Sequence, residues 1–167
     1  LNLFAYTGGA TLAAAAAGAS VTHVDASKGM VAWARKMQHL VDCLSTYRWI
    51  VDDCQKFVER EIRRGNHYDA IIWIRHLMDA DLRVKLEIED AIHPLVSLCS
   101  QLLSDKPLFF LINSYTTGFA ASVLTYLLGL EVVSKFGGHV VSDEIGLPVT
   151  QSGLVLPCGS SGRWTSM

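Results

Sequence analysis

Apolar runs of strand length alternate with longer stretches whose apolar residues recur at helical spacing, and the alternation holds from Leu1 to Gly137-Gly138. A chain patterned this way has few options. Repeated strand–helix–strand units build a mainly parallel sheet with helices on both of its faces. The runs place strands at Leu1–Ala5, Val21–Asp25, Arg48–Val51, Tyr68–Ile74 and Leu108–Asn113. Helices are expected over Gly9–Ala17 with Gly18 as C-terminal cap, and from a Ser27 cap to Leu44. A third starts at a cap on Asp52 or Asp53, turns Cys54, Phe57, Val58 and Ile62 inward, and stops at Gly65-Asn66. A fourth carries Ile88, Ile92, Leu95, Val96, Cys99, Leu102 and Leu103 on one face, and a fifth covers Phe119–Leu128. The stretch Arg75–Lys85 has no clear period. After Gly137-Gly138 the pattern changes: His139–Leu147 and Gly153–Cys158 read as an antiparallel hairpin around Pro148.

The 167 residues suffice for one domain spanning 1–167 with a substantial core. Half of them are hydrophobic, yet no apolar run reaches the roughly 18 residues of a membrane span. A net charge of −2 means that a nucleic-acid partner would need a local basic patch. One candidate is the cluster Arg60, Arg63, Arg64 and His67, though cations also suit a solvated helix C-terminus. Cys43, Cys54, Cys99 and Cys158 form no C-x-x-C pair, so neither a metal site nor a disulfide framework is expected, and a reducing cytoplasm is the default. The first residue is not Met and already lies in a core strand. The expectation is a piece of a longer parent with an N-terminal module missing, or a trimmed chain.

In an open parallel sheet, ligands bind beyond the carboxyl ends of the central strands. Thr7, Gly8 and Gly9 lie at that edge, where glycine lets backbone approach a ligand and sets a helix N-terminus beside it. Asp25 ends the second strand, where a carboxylate can accept from both hydroxyls of a ribose. Asp53, just past the third strand, is placed to accept from an adenine amino group, with Asp52 as the neighbouring candidate. Neither G-x-G-x-x-G nor G-x-x-x-x-G-K-[ST] is present, so a nucleoside cofactor without phosphates suits this short turn.

Three segments then carry a resemblance: Leu1–Gly9, His23-Val24-Asp25-Ala26-Ser27, and Trp49-Ile50-Val51-Asp52-Asp53. They are similar to motifs I to III of class I S-adenosylmethionine-dependent methyltransferases. Asn113-Ser114-Tyr115-Thr116-Thr117-Gly118 and the final Leu154–Arg163 strand resemble the bacterial ribosomal-RNA large-subunit methyltransferase-like group within that class. The resemblance implies a Rossmann-like class I methyltransferase fold, with a mostly parallel seven-stranded sheet that ends in an antiparallel hairpin. It implies S-adenosyl-L-methionine as cofactor, held by Phe4, Thr7, Gly8, Gly9, Asp25, Ala26 and Asp53, and ribosomal RNA as partner. Asn113, Ser114 and Tyr115 would line the catalytic, acceptor side.

The chain departs from that group after the fourth strand. Members typically carry Asp-Pro-Pro-Ser-Tyr, a loop that holds the target base; here the positions read Ile74-Arg75-His76-Leu77-Met78. An N-methylating site needs an acceptor for the target amine and a surface to stack the flipped base. Cytosine carbon methylation needs a thiolate, and Asn113-Ser114-Tyr115 offers none. Cofactor binding is therefore expected before turnover. Met37–Cys43, at the end of the second helix, also departs. Three alternatives stay open for these segments: a degenerate site, an engineered surface serving a homo-oligomer or a designed partner, and an installed Cys–His pair. The pair would be drawn from Cys43 or Cys99 with His76 or His93, although unrelated thiols and imidazoles are the commoner case. Trp73, Met78 and His23 are expected to be packing residues, and Glu87, Glu89 and Asp90 an acidic first helical turn.

Overall fold

The computed structural model describes residues 1–40, 46–75, 92–115 and 119–166. Seven strands form one sheet: β1 (Asn2–Leu3), β2 (Val21–Asp25), β3 (Tyr47–Val51), β4 (Ala70–Arg75), β5 (Phe109–Ser114), β6 (His139–Pro148) and β7 (Val155–Thr165). Their order is β3-β2-β1-β4-β5-β7-β6. The first five are parallel, and β7 runs antiparallel between β5 and β6. The helices are α1 (Gly9–Ala16), α2 (Lys28–Met37), α3 (Cys54–Arg64), α4 (described over 92–100), α5 (Ala121–Leu128) and α6 (Ser134–Phe136). A π-helical turn, Gly129–Val133, joins the last two.

The helices end where local chemistry stops them. Gly18 takes φ 90°; its amide donates to the Ala15 carbonyl and that of Ala19 to Ala14, a Schellman cap. Gly65 repeats the arrangement with Ile62, and Asn66 with Glu61. Ser27 caps α2 through its hydroxyl, which accepts from the Met30 amide. That helix runs on as a 3₁₀ turn over Gln38–Leu40; the rest of the stretch expected to reach Leu44 lies outside the described residues. Of the two aspartates after β3, Asp53 is the cap of α3.

Leu3, Val24, Ile71, Trp73, Phe110 and Ile112 of the sheet pack with Phe57 and Val58 of α3, and with Val96, Cys99 and Leu102 around α4. Strands β1 and β2 are buried along almost their whole length, as befits a parallel sheet covered on both faces.

Two boundaries differ from the sequence reading for a physical reason. Strand β1 stops at Leu3 rather than Ala5, because Phe4 and Tyr6 turn to φ 51° and 48°. Strand β7 runs through Thr165, past the Cys158 limit read from periodicity and close to the Arg163 limit that the resemblance implies. The run Gly159-Ser160-Ser161-Gly162 has low strand propensity, which hides it from periodicity. Contact demands it: a Cβ on Gly159 would meet the Ser114 carbonyl at 2.1 Å, and one on Gly162 would meet Leu124 Cβ at 2.7 Å.

Candidate functional site

The carboxyl ends of β3, β2, β1, β4 and β5 form one continuous edge, and nearly every residue singled out from the sequence lies along it. Phe4 continues β1, Asp25 ends β2, Asp52 and Asp53 follow β3, and Asn113 and Ser114 end β5. The register aligns Asp25 with Val51, Leu3 with Trp73, and Ile74 with Asn113.

The turn after β1 is shaped around Asp25. The Tyr6 amide donates to Asp25 Oδ2 at 2.9 Å and the Ser27 amide to Oδ1 at 2.8 Å. Each carboxylate oxygen thus spends one lone pair on backbone and keeps capacity to accept from a ligand. Left-handed backbone at two non-glycine residues, Phe4 and Tyr6, costs conformational energy and concentrates at ligand-holding turns. Gly8 is left-handed too, at φ 84°, and a Cβ there would sit 2.8 Å from Ala34 Cβ. Gly9 is the contrary case. A Cβ on it would meet nothing within 4 Å, so the first turn of α1 opens onto free space. A glycine-lined opening beside an oriented carboxylate fits a nucleoside-bearing cofactor.

Beneath the turn lies a buried polar chain that the sequence did not reveal. Asn2 Nδ2 donates to Thr11 Oγ1 at 2.8 Å, and Thr11 Oγ1 lies 2.9 Å from His23 Nδ1. The donor in the Thr11–His23 bond depends on the imidazole tautomer, and His23 Nε2 is buried without a hydrogen-bond partner among the described residues. Burial holds the imidazole down at about 4, against a smaller opposing pull from the Asp25 charge, so it is neutral at pH 7. His23 is a packed core residue, tilted against Trp49 with ring centroids 4.8 Å apart.

The remaining candidates take distinct positions. Phe4 stacks on the buried ring of Trp73 at 5.7 Å, which makes Trp73 a packing residue. Thr7 is half-buried and Ala26 exposed at the rim. Asp53 is exposed; its Oδ1 accepts from the Lys56 amide at 2.9 Å as the cap of α3. Asp52 pairs instead with Arg60, and its amide donates to the Asp25 carbonyl at 3.0 Å. On the acceptor side Asn113 Oδ1 accepts from Ser161 Oγ at 2.7 Å, Ser114 is buried, and Tyr115 is half-buried. Thr116–Gly118 and His76–Met78 lie outside the described residues, as do Cys43, Glu87, Glu89 and Asp90.

The described members of the suggested Cys–His pair are not brought together. His93 Nε2 bonds Glu131 at 2.9 Å, while Cys99 is fully buried and burial pushes its thiol up. Cys158 is half-buried and donates to the Ile145 carbonyl. Among the described residues no group of three or more His, Cys, Asp or Glu could hold a metal, and no helix is long and apolar enough to cross a membrane.

A second feature missed in the sequence is Glu61, fully buried on α3. Its carboxylate accepts from the Tyr68 hydroxyl at 2.6 Å, and from Asn66 and Arg64 at 2.9 Å each, with Arg48 at 3.5 Å. Burial alone would raise it, but these partners outweigh burial and hold it below the usual carboxylate value. Tyr68 is pushed up to about 12 by burial and by that bond. The network lies by the amino end of β4, so it belongs to the framework rather than to the site.

Comparison with solved structures finds the same architecture elsewhere. A SAM-dependent methyltransferase from Agrobacterium tumefaciens superposes with a TM-score of 0.84 at 32% identity, over 99% of this chain and 55% of its own. A Streptococcus mutans protein provisionally assigned as a SAM-dependent methyltransferase matches at TM-score 0.68 and 18% identity, over 98% of this chain and 43% of its own. Magnesium protoporphyrin IX methyltransferase from Synechocystis, solved with bound SAM, matches at TM-score 0.61 and 16% identity, over 99% and 68%. This chain thus spans about half the length of the first two. No family model and no curated protein matches it.

Proposed function

We propose that this chain, which has the class I S-adenosylmethionine-dependent methyltransferase fold, holds S-adenosylmethionine at the carboxyl edge of β1, β2 and β3 as part of an RNA-modifying methyltransferase. One observation carries the reading: the Asp25 carboxylate, clamped by the Tyr6 and Ser27 amides, stands beside the open turn at Gly9. When bound, the cofactor supplies a methyl group on a sulfonium, whose transfer is an in-line displacement governed by placement. The chain's own residues do the placing. Asp25 accepts from the ribose hydroxyls, the Phe4–Gly9 backbone lines the methionine side, and Ala26 and Asp53 flank the adenine. Asn113, Ser114 and Tyr115 face the acceptor.

The RNA assignment rests on the resemblance of motifs I to III and of Asn113–Gly118 described above. The acceptor loop argues for donor binding ahead of turnover, because Ile74–Met78 holds no carboxylate or proline, and no tyrosine to stack a flipped base. That same loop favours a second reading, in which catalysis is lost and the surface of β4 and α2 serves as a protein interface, natural or engineered. Calorimetric titration with S-adenosylmethionine and with its demethylated product tests the pocket; absence of heat with both would overturn it. Transfer of a radiolabelled methyl group to ribosomal RNA would overturn the inactive reading.

A further inference from the structure

Half of the basic cluster that the sequence suggests is consumed by the fold. Arg60 pairs with Asp52, and Arg64 with the buried Glu61. A second basic set lies on α2. Residues 26–41 contain Lys28, Arg35, Lys36 and His39 and not one acid, in a chain whose net charge is −2. All four are exposed, and among the described residues none of them is in an ion pair.

The structure aligns them on one side of α2 and its 3₁₀ extension, along the β3 edge of the sheet. Between α2 and β3 lies an open groove of about 640 Å³, lined by the cations Lys28, Arg35 and Lys36 and the His39 imidazole, and floored by Trp49 and Val51. Trp49 is held rigidly. Its indole donates to Gln38 Oε1 at 3.2 Å, and its ring stacks on Tyr47 at 5.3 Å with 9° between planes. From Lys28 to His39 a helix rises about 16 Å, which matches four to five phosphates of a stacked strand at about 3.4 Å each. The groove also meets the donor site. Lys28 directly follows Ser27, whose amide holds Asp25.

We infer that the α2–β3 groove binds a single-stranded RNA segment, its phosphates on Lys28, Arg35, Lys36 and His39 and a base against Trp49. Charge complementarity selects a polyanion, and the aromatic and apolar floor selects one that carries bases rather than an acidic peptide. Three strand steps separate β3 from β4, about 14 Å, so RNA held here flanks the acceptor position without occupying it. The inference rests on the RNA-modifying reading for its ligand, but on the groove alone for its location.

The test is fluorescence anisotropy of a labelled ten-nucleotide oligouridine on the full chain, at salt concentrations from 50 to 200 mM. Binding by the wild type should fall with salt at a log–log slope of about −2 to −3, from about 0.7 per phosphate neutralised. Arg35→Glu/Lys36→Glu should weaken binding at least tenfold and flatten the slope by about 1.4. Arg63→Glu, in the other basic cluster, should change it less than twofold. Circular dichroism and S-adenosylmethionine titration of each variant separate misfolding from loss of the groove. No binding by the wild type at 50 mM salt overturns the inference. So does equal loss in Arg63→Glu, an unchanged and folded double variant, or tighter capture of polyglutamate than of RNA. RNA capture without heat from S-adenosylmethionine would overturn the donor reading and leave the groove standing.

Discussion

Removing the Asp25 carboxylate separates two roles that the structure assigns to one side chain. In the free protein it accepts from the Tyr6 and Ser27 amides; in the proposed complex it also accepts from two ribose hydroxyls. A hydrogen bond to a charged group contributes about 1.5–3 kcal/mol when well shielded. Asp25 is only half-buried and both backbone bonds are exposed, so solvent discounts each one. Asp25→Ala should therefore weaken S-adenosylmethionine binding by about 1–3 kcal/mol, roughly 5- to 150-fold in Kd. Freeing the two amides to water should cost about 1 kcal/mol of stability, because water can re-satisfy them. Asp25→Asn sharpens the experiment. Its single carbonyl oxygen can satisfy one amide, while its NH₂ faces the other donor, so binding should fall as for Ala. The assay is isothermal titration of cofactor into each variant, with urea denaturation alongside. A Kd within twofold of wild type in a folded Asp25→Ala protein would refute the ribose role.

Other consequences follow from the same geometry. His23 is neutral with its folded value held at about 4 against an ordinary 6.5, so the unfolded chain binds more protons between those limits. Its contribution to stability is complete above pH 6.5 and is lost as pH falls toward 4, about 3 kcal/mol in all at 1.36 kcal/mol per unit. His23→Asn should flatten the urea-measured stability between pH 4 and 7 by that amount, and an equally steep profile would contradict the assignment. Gly8→Ala combines φ 84° with a Cβ 2.8 Å from Ala34 Cβ, so it should cost about 2 kcal/mol or more and lower Tm by several degrees. An unchanged Tm would show that the turn relaxes freely. Glu61→Gln keeps the shape but loses the charge on which Tyr68, Asn66 and Arg64 converge, and should lower the unfolding free energy by about 2–3 kcal/mol, read as a lower urea midpoint at constant m. It should leave cofactor Kd unchanged; a parallel loss of affinity would move the network into the site.

Much of the framework was legible because it is written in local periodicity. The alternation of strand and helix patterns predicts five parallel strands, and loss of that alternation after Gly138 predicts the antiparallel pair that completes the sheet. The cap residues Ser27 and Gly65 act within a few positions of themselves, so their roles can be read from neighbours. Asp25 and the glycine turn were legible for a related reason: strand direction puts every strand end at one edge, whatever the packing details.

What escaped was whatever depends on residues far apart in sequence. Glu61 lies in an Arg-rich helix and reads as a solvent-facing acid, yet it is fully buried, because Tyr68 and Arg48 come from other elements. Phe4 looks like a strand residue, yet the chain turns there, held by the Tyr6 amide on Asp25 and the Gly8 amide on the Ala5 carbonyl. The small residues of β7 look like a loop until Ser114 and Leu124 press against them. The basic residues show the division clearly. Residue order alone shows where the basic residues lie and that residues 26–41 hold no acid, but pairing is a through-space property. Tertiary contacts neutralise Arg60 and Arg64 and leave Lys28, Arg35, Lys36 and His39 along an open groove. Periodicity specifies which face of an element is buried; it carries no information about which distant partner will stand opposite a charge.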